Sequence, residues 1–249
     1  DVSNRLAASF EKERAGGGLG TLTVYGRTNE HGQNPNYMIR NCSSTPATCP
    51  AGYSGNINSN NYTSLGLDAR ERRDFAPLGG RLIVGFTYDR SPNSYIEDKI
   101  DVTRNPVTLV YTGYTLSTRN RDYDVLLTNA ATYLQYELSP SKPLRVVIGG
   151  RYDFIEYDFT NNLTPSASTG APSEVRSFSH FSPKIGATLA LSPATNLYAN
   201  VSQGFTPPEV SALYARLAVP NLEPAVFNNY EVGVRSSYHA QRGRWNAAL

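Results

Sequence analysis

The chain has 249 residues, a formal net charge of +2 and 39% hydrophobic residues, a length that suits one large domain or two ordinary ones. So small a net charge gives no electrostatic reason to expect nucleic acid or a strongly acidic partner. No apolar run reaches the roughly 18 residues that a membrane-spanning helix needs, which excludes such a helix. Seventeen tyrosines are many, and tyrosine suits a membrane interface, where the ring is buried and the hydroxyl stays in water.

The first third of the chain alternates apolar and polar residues with the period of two that is typical of β-strands. Short turns are predicted at residues 16–18 and 76–80, and long loops at about 29–61 and 90–120. The strands predicted between them are residues 5–12, 21–28, 62–74 and 81–89.

Two cysteines, Cys42 and Cys49, lie in the first long loop. A bridge between them would close a short polar loop, as suits an exported protein in an oxidising compartment. Two unpaired thiols are the alternative, and no His or further Cys lies close enough in the sequence to complete a metal site with them. We predict a Cys42–Cys49 disulfide.

The longest predicted hairpin lies in the middle of the chain, over residues 123–159. Its first strand places Leu134 and Leu138 on one face, the return strand places Ile148 on one face, and the turn at 139–143 contains two prolines. Each strand is about 15 residues or more, whereas strands of globular proteins usually have about 5–6. That length, with aromatic residues toward one end of the apolar face, is typical of a transmembrane β-barrel hairpin.

The rest of the chain continues the same pattern. Further strands are predicted up to residue 191, over 197–201, over 230–238 and from 245, with turns at 192–195 and 241–243 and loops at 160–173 and 206–226. Short turns therefore alternate with long loops along ten runs, as in outer-membrane barrels with short periplasmic turns and long extracellular loops. The last run has about five residues where a membrane strand needs roughly 9–11. We expect an all-β, antiparallel transmembrane barrel of which this chain is one part.

Several segments of the second half resemble the late barrel of TonB-dependent outer-membrane receptors: NLYANVSQGF at 196–205, TPPE at 206–209, NLEP at 221–224 and NYEVGVR at 229–235. In the central hairpin, YLQ at 133–135 and GGRYD at 149–153 resemble the siderophore-receptor branch of that family. The resemblance implies a 22-strand barrel of which residues 1–249 supply about ten strands without the plug domain. It also implies the outer membrane of a Gram-negative bacterium, contacts with its lipid, a ferric siderophore as transported ligand rather than cofactor, and energy delivered by the TonB–ExbB–ExbD complex.

In such a receptor, ligand contacts come from the inward face of the wall and from the long loops. The predicted ligand-binding residues are Arg151, Asp153, Tyr133, Gln135, Tyr114 and Tyr214. For the polar ones, the alternative is a structural role in ion pairs and hydrogen bonds of the lumen wall, which polar interior residues of a barrel commonly have. Loop tyrosines, including Tyr37, equally suit packing. The charged run at 68–74 is expected to form a solvated rim, or to contact a plug or lipid headgroups.

Enzymatic chemistry is not expected. His31, His180 and His239 lie far apart in the sequence without metal-ligand spacing, and no nucleophile elbow, P-loop or dinucleotide fingerprint occurs. We therefore predict no catalytic residues, no metal site, no cofactor and no nucleic-acid partner. The alternatives are a self-contained ten-strand outer-membrane barrel, acting as a protease, adhesin or pore, and a soluble β-sandwich adhesin.

Overall fold

The computed structural model describes residues 2–33, 39–44, 47, 49, 52–75, 80–240 and 243–248, and nearly all of them belong to β-strands. The strands are β1 (Val2–Arg14), β2 (Gly18–Gln33), β3 (Arg40–Asn41), β4 (Tyr53–Phe75), β5 (Gly80–Arg104), β6 (Tyr111–Ser141), β7 (Leu144–Asn161), β8 (Glu174–Ser192), β9 (Thr195–Thr206), β10 (Ala225–Ala240) and β11 (Gly243–Ala248), with one short helix, α1 (Val210–Tyr214). No helix in these ranges is long and apolar enough to cross a membrane.

All strands belong to one antiparallel sheet in which each long strand pairs with its neighbours in sequence, and the two-residue β3 pairs with β4. This up-and-down order confirms the predicted antiparallel barrel wall. A β-sandwich requires two packed sheets, and the described residues form only one. A self-contained ten-strand barrel requires the first and last strands to pair, and within the described ranges no ladder joins β1 to β11.

The two faces of the sheet differ in chemistry. Phe10, Leu22, Ala69 and Phe86 are successive cross-strand partners from β1 to β5, and the three large side chains among them are exposed. The same parity carries further exposed apolar side chains as far as β10, and we call this the outer face. The opposite, inner face carries most of the polar side chains, as expected where alternate residues meet lipid and lumen.

Both long loops predicted in the first half are too long, and this is the main correction to the sequence analysis. Strands β2 and β4 extend into the predicted 29–61 loop, and β5 and β6 fill most of the predicted 90–120 loop. Pairing continues from Ile96↔Asp122 to Val102↔Tyr114, with irregular register near Asp98. Beyond the apolar band both faces of a strand meet water, so backbone pairing persists without the alternation that marks a membrane strand.

The short turns lie close to their predicted positions. Strand β8 ends at Ser192 and β9 begins at Thr195, and β6 ends at Ser141 and β7 begins at Leu144. Residues 76–79 and 241–242 lie outside the described ranges, so the two turns predicted there stay predictions in part. The Cys42–Cys49 disulfide is confirmed, with the two Cα atoms 6.0 Å apart.

A small hydrophobic core lies on the inner face at the long-loop end. It joins Val125, Ile155 and Phe159 of β6 and β7 to Leu213 and Tyr214 of α1, which fall in the loop predicted over 206–226. The loop between β9 and β10 therefore folds back over the inner face instead of extending into solvent.

Candidate ligand-binding site on the inner face

Four of the predicted ligand-binding residues lie together on the inner face of β6 and β7. Tyr133 and Arg151 are cross-strand partners, and Gln135 and Asp153 lie two residues from them on the same parity. The Arg151 Nε donates to the Asp153 Oδ1 at 2.8 Å, and an Arg151 Nη2 donates to the Thr87 hydroxyl at 3.2 Å. Asp153 is 7% exposed, so the guanidinium is held in place by a buried carboxylate while part of it still faces the lumen.

Tyr133 lies flat against the sheet. Its ring covers Gly85, the cross-strand partner on β5, where any side chain would collide with the ring. The glycine therefore fixes the position of the phenol on the inner wall. Farther toward the short turns, the Gln135 Nε2 donates to the Glu137 Oε1 at 2.7 Å, and Glu137 forms ion pairs with Arg145 and Arg81. Gln135 thus connects the Tyr133 position to the ion pairs at the turn end.

An aromatic cluster lies above these residues, at the long-loop end. Ring centroids are 5.1 Å apart for Tyr95 and Tyr123, 5.4 Å for Tyr123 and Phe159, and 4.1 Å for the stacked pair Phe159 and Tyr214. Aromatic pairs at such distances add stability beyond the area that they bury. Tyr214 is 3% exposed, and burial raises the pKa of its phenol to about 12. The structure therefore places Tyr214 inside the cluster and not on an open surface.

The segment between β9 and β10, residues 207–224, is fastened to the inner face by hydrogen bonds from three strands. The Tyr157 hydroxyl donates to the Pro208 carbonyl at 3.2 Å. An Arg121 Nη2 donates to the Ala215 carbonyl at 3.0 Å, and an Arg176 Nη1 donates to the Pro220 carbonyl at 2.9 Å. These contacts, together with the buried Leu213 and Tyr214, make the segment a fixed part of the wall. Sequence reasoning missed these three anchoring side chains.

Gly170 contributes to the same arrangement from the loop between β7 and β8. Its φ of +102° lies in the region that glycine favours, and an added Cβ would lie 2.6 Å from the Tyr214 carbonyl oxygen. The neighbouring Ala171 N–H donates to that carbonyl at 3.1 Å. Two long loops and α1 therefore meet at Tyr214, which only a backbone without a side chain at position 170 permits.

His180 lies between the Arg151 position and the aromatic cluster. It is the cross-strand partner of Asp153 on β8, its ring centroid is 4.9 Å from that of Phe205, and its Nε2 lies 3.0 Å from the Gln203 Oε1. The sequence predicts neither a metal site nor a protease site at His180, and it assigns this residue no other role. The signal that could place it on the same wall as Arg151 is the strand register, which pairs it with Asp153. Among the described residues no group of three His, Cys, Asp or Glu is placed to hold a metal ion.

Tyr114 lies apart from the other predicted ligand-binding residues. It pairs with Val102 in the part of β6 that extends beyond β7. At the same end, the Arg104 guanidinium lies 5.4 Å from the Tyr53 ring centroid and 5.6 Å from that of Tyr111. The structure therefore separates a wall site, with Arg151 and Tyr133, from an outlying group of tyrosines near the loop tips. Tyr37 lies outside the described residues.

The chain matches one protein family over its whole length. A profile described as TonB dependent receptor-like, beta-barrel covers residues 1–249. Among curated proteins, none matches this sequence.

Solved structures share the fold at low identity. The pyoverdine outer membrane receptor FpvA from Pseudomonas aeruginosa PAO1, bound to pyoverdine, superposes with a TM-score of 0.72 at 20% identity over 99% of this chain and 35% of that one. The siderophore receptor PiuA from Acinetobacter baumannii gives 0.66 at 10% identity over 95% and 38%. The copper transporter OprC gives 0.65 at 14% identity over 99% and 41%. The chain thus spans about a third of the length of such proteins.

Proposed function

This chain belongs to the TonB-dependent receptor β-barrel family, and from that premise we propose that it forms part of the wall of a receptor that imports a ferric siderophore across the outer membrane. The ligand is bound and passed inward without covalent chemistry. Energy is delivered from the inner membrane by the TonB–ExbB–ExbD complex through parts of the receptor that this chain does not contain. The outer face contacts lipid, and the inner face and long loops contact the ligand.

One observation carries the proposal: a positioned arginine and a positioned phenol lie on the inner wall below an aromatic cluster. A ferric chelate carries negative charge on the oxygen atoms around the metal, which favours charge-assisted hydrogen bonds from arginine. The Arg151 guanidinium is oriented by Asp153 and Thr87, so less conformational freedom is lost when it binds a ligand. The Tyr133 ring, on the cross-strand partner of Arg151, favours ligands that contain flat rings.

The six predicted residues take different roles in this proposal. Arg151, Tyr133 and Gln135 contact the ligand directly, and Asp153 orients Arg151. Tyr214 acts indirectly, because it holds the segment 207–224 against the wall. Tyr114 lies near the loop tips and contacts a ligand that enters from outside.

The test uses the full-length receptor that contains this barrel, expressed in a Gram-negative strain without its own siderophore receptors. Uptake of radioactive iron is measured with a panel of ferric siderophores, with and without the gene for TonB. We expect uptake of at least one siderophore, and none without TonB. Arg151→Ala should weaken binding of that siderophore by about tenfold or more, the effect of losing one hydrogen bond to a charged group.

Lys142→Ala is the matched control, because Lys142 is an exposed cation in the turn at the opposite end of the wall. It should leave binding and uptake unchanged. Iron uptake that persists without TonB would contradict the proposed transport mechanism. Equal losses in Arg151→Ala and Lys142→Ala would contradict the placement of the binding site.

A further inference from the structure

Three cations lie on the outer face at the short-turn end, where the alternation would otherwise place apolar side chains. Lys12 and Arg14 of β1 follow Phe10 on the outer parity, and Arg73 of β4 follows Ala69 and Glu71. Among the described residues, Glu71 is the carboxylate that forms ion pairs with two of them. The Arg14 Nε lies 3.4 Å, and the Arg73 Nε 2.8 Å, from its Oε1. Three cations against one carboxylate leave this patch with a net charge of +2.

Two glycines allow these charged side chains to lie close to the sheet. Gly20 lies between Lys12 and Glu71 in the cross-strand row, and Gly18 is the partner of Arg14. An added Cβ at Gly20 would lie 2.7 Å from the Glu71 Oε2 and 3.4 Å from an Arg14 Nη2. The charged ends of the Arg14 and Glu71 side chains therefore occupy the space above Gly20 and lie close to the strand backbone.

An apolar groove begins beside these charged side chains. It has a volume of about 480 Å³, and the residues around it include Phe10, Leu22, Ala69, Val84 and Phe86 together with Lys12 and Arg14. Phe10, Leu22 and Phe86 are exposed on the outer face. One surface thus combines a cluster of cations with an apolar groove that leads toward the middle of the membrane band.

We propose that this surface binds one anionic phospholipid, with the phosphate at Lys12, Arg14 and Arg73 and an acyl chain in the groove above. The inference rests on the proposed outer-membrane location, in which the short turns face the periplasm and the groove meets the phospholipid leaflet. Cations at the membrane interface are tolerated because their ends reach the headgroup region. Lys and Arg clusters at a membrane surface attract anionic headgroups.

The net charge favours an anionic headgroup over a zwitterionic one. A phosphodiester in a zwitterionic lipid brings its own cation, which the three cations here would repel. Glu71 does not neutralise the patch, but its Oε1 pairs with both Arg14 and Arg73 and so holds the two guanidinium groups close together.

The experiment measures lipid retention by the full-length receptor in detergent, with native mass spectrometry. The receptor is mixed with equal amounts of phosphatidylglycerol and phosphatidylcholine that carry the same acyl chains. We expect one phosphatidylglycerol to be retained in preference to phosphatidylcholine. The double variant Lys12→Gln, Arg14→Gln should weaken that retention by about 25-fold, since each cation near an anionic headgroup contributes roughly fivefold.

Two further variants separate the site from general effects. Gly20→Val keeps every charge but displaces the Arg14 and Glu71 side chains from the space above position 20, and it should also weaken the preference. Arg72→Gln is the matched control, because Arg72 follows Glu71 on the opposite parity and contacts Gly17 and Asp74 on the inner side. It should retain phosphatidylglycerol as the unmodified receptor does.

Equal retention of the two lipids would overturn the proposal, and so would an Arg72→Gln loss as large as that of the double variant. Glycerol phosphate without acyl chains should not displace the lipid, and if it does, the groove has no part in binding. Lipid retention is measured without siderophore or TonB. A receptor that retains phosphatidylglycerol but takes up no iron contradicts only the proposed transport, and the reverse outcome contradicts only the lipid site.

Discussion

Strand β6 consists of two halves that share one backbone and differ in surroundings. From Leu126 to Glu137, the lower half, the strand lies between β5 and β7, and most of its even positions carry apolar side chains on the outer face. From Tyr111 to Arg121 it pairs with β5 alone, because β7 begins to pair at Tyr123↔Asn161. Positions 111–119 are all exposed, whichever way they point. Strand pairing is thus common to both halves, whereas an outer face rich in apolar side chains is found only in the lower half and not in the upper half, residues 111–121.

The difference between the two halves shows that apolar–polar alternation depends on the surroundings of a strand and not on its pairing. Alternation is imposed where one face meets lipid and the other meets the lumen. Above that band both faces meet water, and the sequence is free to place polar or apolar residues at either parity. Charged contacts replace apolar ones there: Arg119 binds Asp98 and Asp122 at 2.8 and 2.7 Å. The boundary between the halves is the aromatic cluster around Tyr123 and Phe159.

The largest expected effect tests that boundary. Phe159 is 2% exposed and packs against both Tyr123 and Tyr214. Phe159→Ala should cost about 3–5 kcal/mol of stability, because it leaves a cavity under α1. Hydrogen exchange of the full-length receptor should then show faster exchange at Leu213 and Ala171. Phe154→Ala on the outer face of the same strand is the control, and accelerated exchange at those two amides in that variant would contradict the assignment.

The second prediction compares the two halves directly by making the same Leu→Arg substitution in each. Leu134 is 50% exposed on the outer face of the lower half, and Leu116 is 62% exposed in the upper half. Leu134→Arg should destabilise the barrel by about 2–4 kcal/mol, as a charge near the middle of the bilayer does. Leu116→Arg should change stability by no more than about 0.5 kcal/mol. Unfolding of the receptor from lipid vesicles by denaturant measures both, and equal losses would place the two halves in the same medium.

The same distinction explains how much the sequence predicts. The central hairpin and the turn at 192–195 are predictable because alternation and proline mark them. The sequence predicts a loop where the upper halves of β5 and β6 lie, because these residues lack the alternation that would mark them as paired strands. On the inner face, the parity of Arg151 and Tyr133 follows from periodicity alone. The contact between Tyr214 and Phe159 does not, because it joins a loop to a strand across about 55 residues.

The smallest predicted effect concerns pH and the upper half. The pKa of Asp122 is lowered, first by the hydrogen bond from Asn162 and then by that from Arg119, whose own pKa is raised, chiefly by Asp98. A carboxylate with a lowered pKa stabilises the fold above its unfolded pKa, which is about 3.9 for aspartate. This contribution is lost as the pH falls through the lower, folded value.

The stability that Asp122 provides should therefore be constant from pH 7 to about pH 5 and decline below about pH 4. Because Arg119 is partly exposed to solvent, we expect the loss to be about 1 kcal/mol or less. Hydrogen exchange at Asn162, whose N–H donates to the Asp122 carbonyl, measures it locally. Asp122→Asn should remove the pH dependence, whereas Asp158→Asn, at an exposed position of β7, should preserve it. The same pH dependence in both variants would contradict the prediction. The ion pairs and hydrogen bonds among Asp98, Arg119, Asp122 and Asn162 would then not be what holds the upper half of β6 to the end of β7.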